Sequence, residues 1–114
     1  MLITSPLFFQ LINRFMNHEI EALTLGPIIL ASQEIDETVL NHELIHVEQY
    51  KDLFYIGFPF IYFYDLFYNL VILKMDLKQA YENSRAEKEA YKHEHNLNYL
   101  SIRKKRAWLN ASKR

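Results

Sequence analysis

The chain has 114 residues, half of them hydrophobic, with two glycines, no cysteine and a formal net charge of -1. That length supports one domain with a modest core, so residues 1–114 read as a single unit without a separate substrate domain. The near-zero charge offers no field to gather nucleic acid, and without cysteine neither a disulfide nor a thiolate metal site can form.

The opening MLITSPLFFQLI lacks the basic start and small-residue cleavage site of a secretory signal, and with the missing cysteines this suggests a cytoplasmic protein. Residues 2–16 are apolar with sparse polar breaks and fit either a strand or a helix after Pro6. Residues 21–32, EALTLGPIILAS, are aliphatic and β-branched around Gly26-Pro27, which reads as one or two short strands with a turn or bulge. Asp36 is a natural N-cap, and Glu37 suits the positive end of the helix dipole. The helix they open is predicted from Glu37 to beyond Tyr50. In it Leu40, Leu44 and Val47 recur at i, i+4, i+7 as the expected buried stripe, with His42 and His46 on the opposite, cleft-lining side.

Residues 53–73 are the most apolar stretch and hold nine of the chain's seventeen aromatic residues. A buried core helix is the leading reading, ahead of an interfacial membrane helix and a true span. Gly57, Pro59, Asp65 and Asn69 interrupt the run, and a mid-span charge is costly. From Asp76 to about Trp108 the chain reads as helical again, bent or broken near Asn96-Leu97-Asn98. Leu77, Ala80, Tyr81, Ala90, Tyr91, Leu97 and Leu100 are its expected anchors. The basic residues Arg103, Lys104, Lys105, Arg106, Lys113 and Arg114 read as a solvated face or tail.

Chemistry concentrates in residues 42–46, HELIH, an HExxH motif. Residues i and i+4 project from one helix face, so His42 and His46 can bind one Zn²⁺. Glu43, beside the first ligand, reaches the water on the metal rather than the metal and can act as general base. A catalytic zinc usually takes a third protein ligand. Helical phase puts Ala80, Asn83, Ser84, Glu87, Ala90, Tyr91 and Glu94 on one side, and Glu82, Arg85, Glu89, Lys92 and His93 on the other, which reads as solvated. Glu87 therefore points inward and is the expected third ligand; the plainer alternative is that it caps its helix or pairs with Arg85 or Lys88. Gln49, Tyr50 and Asn41 are candidates to line the cleft or support a ligand. His93 and His95 are expected in solvent, and His18 has no assigned role. Zinc follows from the ligand types, although nickel, cobalt or manganese could use the same set.

With these residues in place, the chain resembles the gluzincin group of metallopeptidases, which carry HExxH on one helix and a glutamate ligand on a later one. Glu87-Lys88-Glu89-Ala90-Tyr91 looks like the E-x-E-A-D element of several gluzincins, whose first glutamate binds metal. NHELIHVEQ, the aromatic stretch and SRAEKEAYKHEHNLNYL together resemble small single-domain HExxH proteins of Bacteroidetes-type bacteria, over roughly Arg14 to Trp108. Tyr91 departs from the element: relatives often have aspartate there, which supports the first histidine. Asn83, Ser84 or a backbone carbonyl would then have to orient that ring. No further histidine follows at metzincin spacing. A transition-state stabiliser is not assigned, with Tyr81, Tyr91 and His95 as candidates.

The expected fold is mainly α with a small β element: a minimal zincin-like domain with the HExxH helix, a ligand helix and a short strand or hairpin. In zincin-like folds an edge strand beside the motif helix binds extended peptide, and Leu23 to Ala31 would be that strand. The expected function is zinc-dependent hydrolysis of a peptide or protein substrate. Two rivals stay open: a zinc-stabilised binding module without turnover, and a protein that associates peripherally with membranes through residues 53–73.

Overall fold

The computed structural model describes residues 2–5, 7, 11, 22–31 and 35–110. His18, Lys113, Arg114 and most of the 2–16 segment lie outside the described residues. Three short strands come first: β1 (Leu2–Thr4), β2 (Ala22–Leu25) and β3 (Ile28–Ala31). Gly26-Pro27 divides the aliphatic run, and Gly26 takes φ +62°, the left-handed conformation this two-residue turn requires. The sheet order is β1-β3-β2, with β1 parallel and β2 antiparallel to β3. Among the described residues β2 is therefore an edge strand.

Helix α1 (Glu37–Asp52) starts where the N-cap was expected, with the Asp36 carboxylate accepting the Val39 N–H at 2.9 Å. It ends at a sharp corner. Phe54 and Tyr55 adopt φ +56° and +66°, and the Tyr55 N–H returns to the Tyr50 carbonyl at 2.7 Å. Helix α2 (Gly57–Phe67) then leaves at 112° to α1 and continues as a π-helical turn, Tyr68–Ile72. A side chain at Gly57 would put its Cβ 2.8 Å from Leu53 Cβ, so the corner needs glycine for close approach.

The remaining helices are α3 (Leu77–Glu82), α4 (Arg85–His93), α5 (Tyr99–Ile102) and a 3₁₀ turn, Ala107–Asn110. The break near Asn96–Asn98 is present, and a second one falls at Asn83-Ser84, where Ser84 caps α4. Ala86 and Ala90 are fully buried, which brings α4 close against α1 and α2. Ile45, Ala90 and Tyr99 form one core cluster; Phe58, Ala86 and Trp108 form the other. The fold is a small, mainly α domain with a three-stranded sheet, as expected.

Several expectations about burial are overturned. Tyr91 and Leu97, expected as anchors, are exposed. Leu44 is exposed and Leu40 and Val47 only half-buried, whereas Asn41, His42, Glu43, Ile45, His46 and Gln49 are buried. The motif helix thus turns its polar face inward, because β2 and α4 both pack on that face and supply hydrogen-bond partners. Residues 53–73 do not form a buried core helix: only Phe58, Asp65 and Asn69 are buried, and most of the aromatic rings face outward. Arg103 is not part of a solvated run. Its side chain is 4 % exposed and bridges the buried carboxylates of Glu89 and Asp52, while Lys104, Lys105 and Arg106 are exposed as expected.

Candidate metal centre

The packing of α4 across the inward face of α1 brings His42, His46 and Glu87 together. One ligand atom from each lies within 4.8 Å of the others, and all three residues are buried. His42 Nε2 is 3.0 Å from Glu87 Oε1, and His46 Nε2 is 3.1 Å from Glu87 Oε2. A tetrahedral site with bonds of about 2.0–2.1 Å has ligand–ligand edges of about 3.3 Å, so these separations fit a shared divalent cation. Glu87 pairs with neither Arg85 nor Lys88; Arg85 is held by the Asp65 carboxylate instead.

Hydrogen bonds behind the rings fix which nitrogen faces the centre. His42 Nδ1 lies 2.7 Å from Glu94 Oε1, and His46 Nδ1 lies 2.7 Å from Gln49 Oε1. Gln49 donates its amide to the Ala86 carbonyl and to Glu89 Oε1, both at 3.0 Å, which orients its oxygen toward His46. Both partners are acceptors, so each Nδ1 carries a proton and each Nε2 is the nitrogen turned toward Glu87. Two ring nitrogens then face one carboxylate in a buried space, an arrangement that a shared proton or a metal cation can hold. Consistent with this, His46 Nε2 is buried and has no aligned hydrogen bond despite its short distance to Glu87.

The electrostatics of the metal-free residues agree. Burial works against a charge on His46, but the Glu87 carboxylate outweighs it and lifts the imidazole to about 9. Burial likewise opposes ionisation of Glu87, and the two imidazoles overcome it, lowering the carboxyl to about 2. A proton shared across this pair occupies the position that a metal would take.

Glu43 sits beside this cluster. Its Oε1 accepts the Thr24 hydroxyl at 2.8 Å, and its Oε2 lies 4.0 Å from His42 Nε2. Burial raises its pKa, the direction that suits a proton acceptor working near neutrality. Above the cluster is a mainly apolar cavity of about 440 Å³. Strand β2 forms one wall, α2 the other, and Glu43, His46 and Glu87 the floor. Tyr62 and Tyr81 also line it, both held neutral by burial with pKa values well above the ordinary phenol range.

His42, Glu43, His46 and Glu87 therefore converge, and Gln49 supports the His46 ring, one of the two roles expected for it. Tyr50 lines the cavity. Asn41 instead clamps α1 to the end of α4 through the carbonyls of His93, Glu94 and Asn96. Glu89 reverses its expectation: it is buried, bound by Gln49, Tyr99 and Arg103, because the chain after α4 folds back over that side. The His42 ring is held by Glu94, one turn after Tyr91, rather than by Asn83, Ser84 or a backbone carbonyl; the Tyr91 ring packs edge-on against His42. Helical phase had placed Glu94 on the correct side. Thr24 and Tyr62 carried no sequence signal, since their relation to the site depends on tertiary packing. Of the other stabiliser candidates, Tyr81 lines the cavity and His95 is in solvent as expected; His93, also expected in solvent, is instead half-buried and stacks on Tyr99. Compared with known proteins, the chain matches no family model, no curated protein and no solved structure.

Proposed function

We propose that this protein is a small zinc-dependent peptide hydrolase of gluzincin type. The observation that carries this reading is the convergence of two Nε2 atoms and one carboxylate beside the buried, Thr24-anchored Glu43, at the floor of an apolar cavity. His42, His46 and Glu87 would hold the metal. When bound, zinc supplies Lewis acidity toward a carbonyl and lowers the pKa of a coordinated water toward 7.

The remaining work falls to the chain. Glu43 Oε2 faces the cluster while Oε1 is anchored, so the free oxygen can take a proton and later return it to a leaving amine. The Thr24 hydroxyl fixes the plane of that carboxylate. The apolar cavity walls exclude water and suit a peptide with hydrophobic side chains next to the scissile bond. Tyr62 and Tyr81, kept protonated by burial, are phenols of the cavity wall that could serve a developing oxyanion. The resemblance of HELIH and of the Glu87-Lys88-Glu89-Ala90 run to gluzincin motifs supports the same reading.

The test is a zinc-loaded peptide-library digest read by mass spectrometry, with Glu43→Gln in parallel. The wild type is expected to cleave and the variant to keep its zinc without cleaving. Equal turnover by Glu43→Gln would refute Glu43 as the base; no cleavage by a zinc-loaded wild type would favour a binding module.

A further inference from the structure

Helix α2 is inside out by the standards of a protein surrounded by water. Its polar residues point inward: Asp65 is buried and paired with Arg85, and the Asn69 amide donates to the Ala80 carbonyl at 3.0 Å. Phe60, Tyr64, Phe67 and Val71 lie within a single stripe at ~100° per residue, and they are 74, 60, 60 and 52 % exposed. Phe54 and Ile56 at the corner and Ile72 at the far end are exposed as well. Exposed apolar area this continuous marks a docking face rather than ordinary surface scatter.

Charge decides what docks. Between residues 53 and 73 the only acidic side chain is Asp65, already buried and neutralised. Exposed lysines stand at both ends of the stretch, Lys51 before it, paired with Glu48, and Lys74 and Lys78 after it with Asp76 between them, which leaves the ends net positive. An apolar stripe rich in phenylalanine and tyrosine, free of negative charge and flanked by lysines, complements the boundary between acyl chains and anionic headgroups. Among the described residues no single helix is long and apolar enough to cross a membrane; α1 and α2 reach that length and composition only as a pair bent by 112°, and α1 turns a polar face into the protein. The 16 residues from Gly57 to Ile72 span roughly 24 Å at ~1.5 Å per residue and suit a helix lying flat.

We propose that α2 and its π-helical extension dock this protein on the surface of anionic lipid bilayers. The proposal stands on this helix alone and does not depend on the hydrolase reading. It has a geometric corollary: Pro59, Phe63 and Leu66 of α2 line the cavity, and Phe63 is also 64 % exposed, so the mouth lies along the edge of the docked face. A bound ligand would be drawn from the membrane surface.

The experiment is flotation of the full chain with vesicles of phosphatidylcholine alone and of equal parts phosphatidylcholine and phosphatidylglycerol. The wild type should float with the mixed vesicles and less with the neutral ones. Phe60→Asp/Phe67→Asp should lower the partition coefficient by about a hundredfold or more, because two large apolar side chains leave the acyl boundary. Lys51→Glu/Lys74→Glu should remove the preference for anionic vesicles while sparing the neutral-vesicle signal. Emission of buried Trp108 verifies that each variant is folded, and Phe60→Ser/Phe67→Ser replaces any that is not. Recovery of the wild type only in the lipid-free fraction overturns the proposal. So does a lipid-free dimer by sedimentation velocity that the same phenylalanine substitutions dissociate, since the face would then join two copies of the chain.

Discussion

Replacing Arg103 with methionine should be among the most damaging single changes outside the metal centre. The Arg103 side chain is 4 % exposed and holds Glu89 and Asp52, themselves 3 and 5 % exposed. Methionine keeps much of the volume but leaves two buried carboxylates with fewer partners; Glu89 retains only the Tyr99 hydroxyl and the Gln49 amide. Breaking a buried pair from one side costs about 3–5 kcal/mol, a large share of a typical total of about 5–15 kcal/mol. With a urea m value of about 1.5 kcal/mol/M, a loss of about 4 kcal/mol lowers the unfolding midpoint by about 2.7 M. The single tryptophan, Trp108, is fully buried and reports the transition by fluorescence. The pH dependence gives an independent signature. Burial opposes ionisation of Glu89, but Arg103, Gln49 and Tyr99 outweigh it and lower its pKa below 4.5. In the wild type its contribution is therefore present above about pH 4.5 and lost as pH falls through the lower folded value. In Arg103→Met burial dominates, the folded pKa moves above the unfolded one, and stability should instead fall as pH rises through it. A loss under about 1 kcal/mol with no change in the acid limb would show that the cluster behaves as an exposed ion pair and refute the reasoning.

Four further predictions concern the candidate site and its frame. Glu87→Ala should reduce bound zinc from about one per chain to near zero by elemental analysis. In the metal-free variant His46, without the carboxylate that lifts it to about 9, should titrate far lower by NMR. For the metal-free wild type, the stability His46 contributes is full below 6.5 and disappears as pH rises through about 9. Thr24→Val removes a hydrogen bond that favours the ionised Glu43, so the acidic limb of the pH–rate profile should move to higher pH; an unmoved limb would separate Glu43 from that ionisation. Gly57→Ala places a Cβ 2.8 Å from Leu53 Cβ, and thermal unfolding should report a cost of about 1–3 kcal/mol as the corner between α1 and α2 opens.

Local signals in the sequence located the His42, His46 and Glu87 cluster well and its surroundings poorly. HELIH, the Asp36 cap and the phase of Glu87 are short-range features, set within one or two helical turns, and each was legible. Burial was not. The i, i+4, i+7 stripe of Leu40, Leu44 and Val47 assumes that the most apolar face of a helix turns inward. Here Asn41, His42, His46 and Gln49 turn inward, because the carbonyls and carboxylates of α4 satisfy them. The same assumption failed for α2, whose apolar face is the exposed one, and for Arg103 and Glu89, whose pairing spans 14 residues. Such pairings depend on how the chain returns after α4, which no periodicity encodes.

The start of α4 has a consequence for how this site could be altered. Ser84-Arg85-Ala86-Glu87 has the spacing of a capping box, yet only half of one forms: the Ser84 hydroxyl accepts the Glu87 N–H at 3.3 Å, while the Glu87 carboxylate turns to the histidines. The Ser84 N–H goes to the Tyr81 carbonyl at 3.2 Å instead. The helix therefore begins without help from the side chain proposed to bind metal. The side chain at position 87 is decoupled from helix formation, so under the metal-site proposal exchange for aspartate, glutamine or histidine should retune metal preference while α4 still nucleates at Ser84. A site whose coordination chemistry can vary independently of its scaffold is open to redesign one residue at a time.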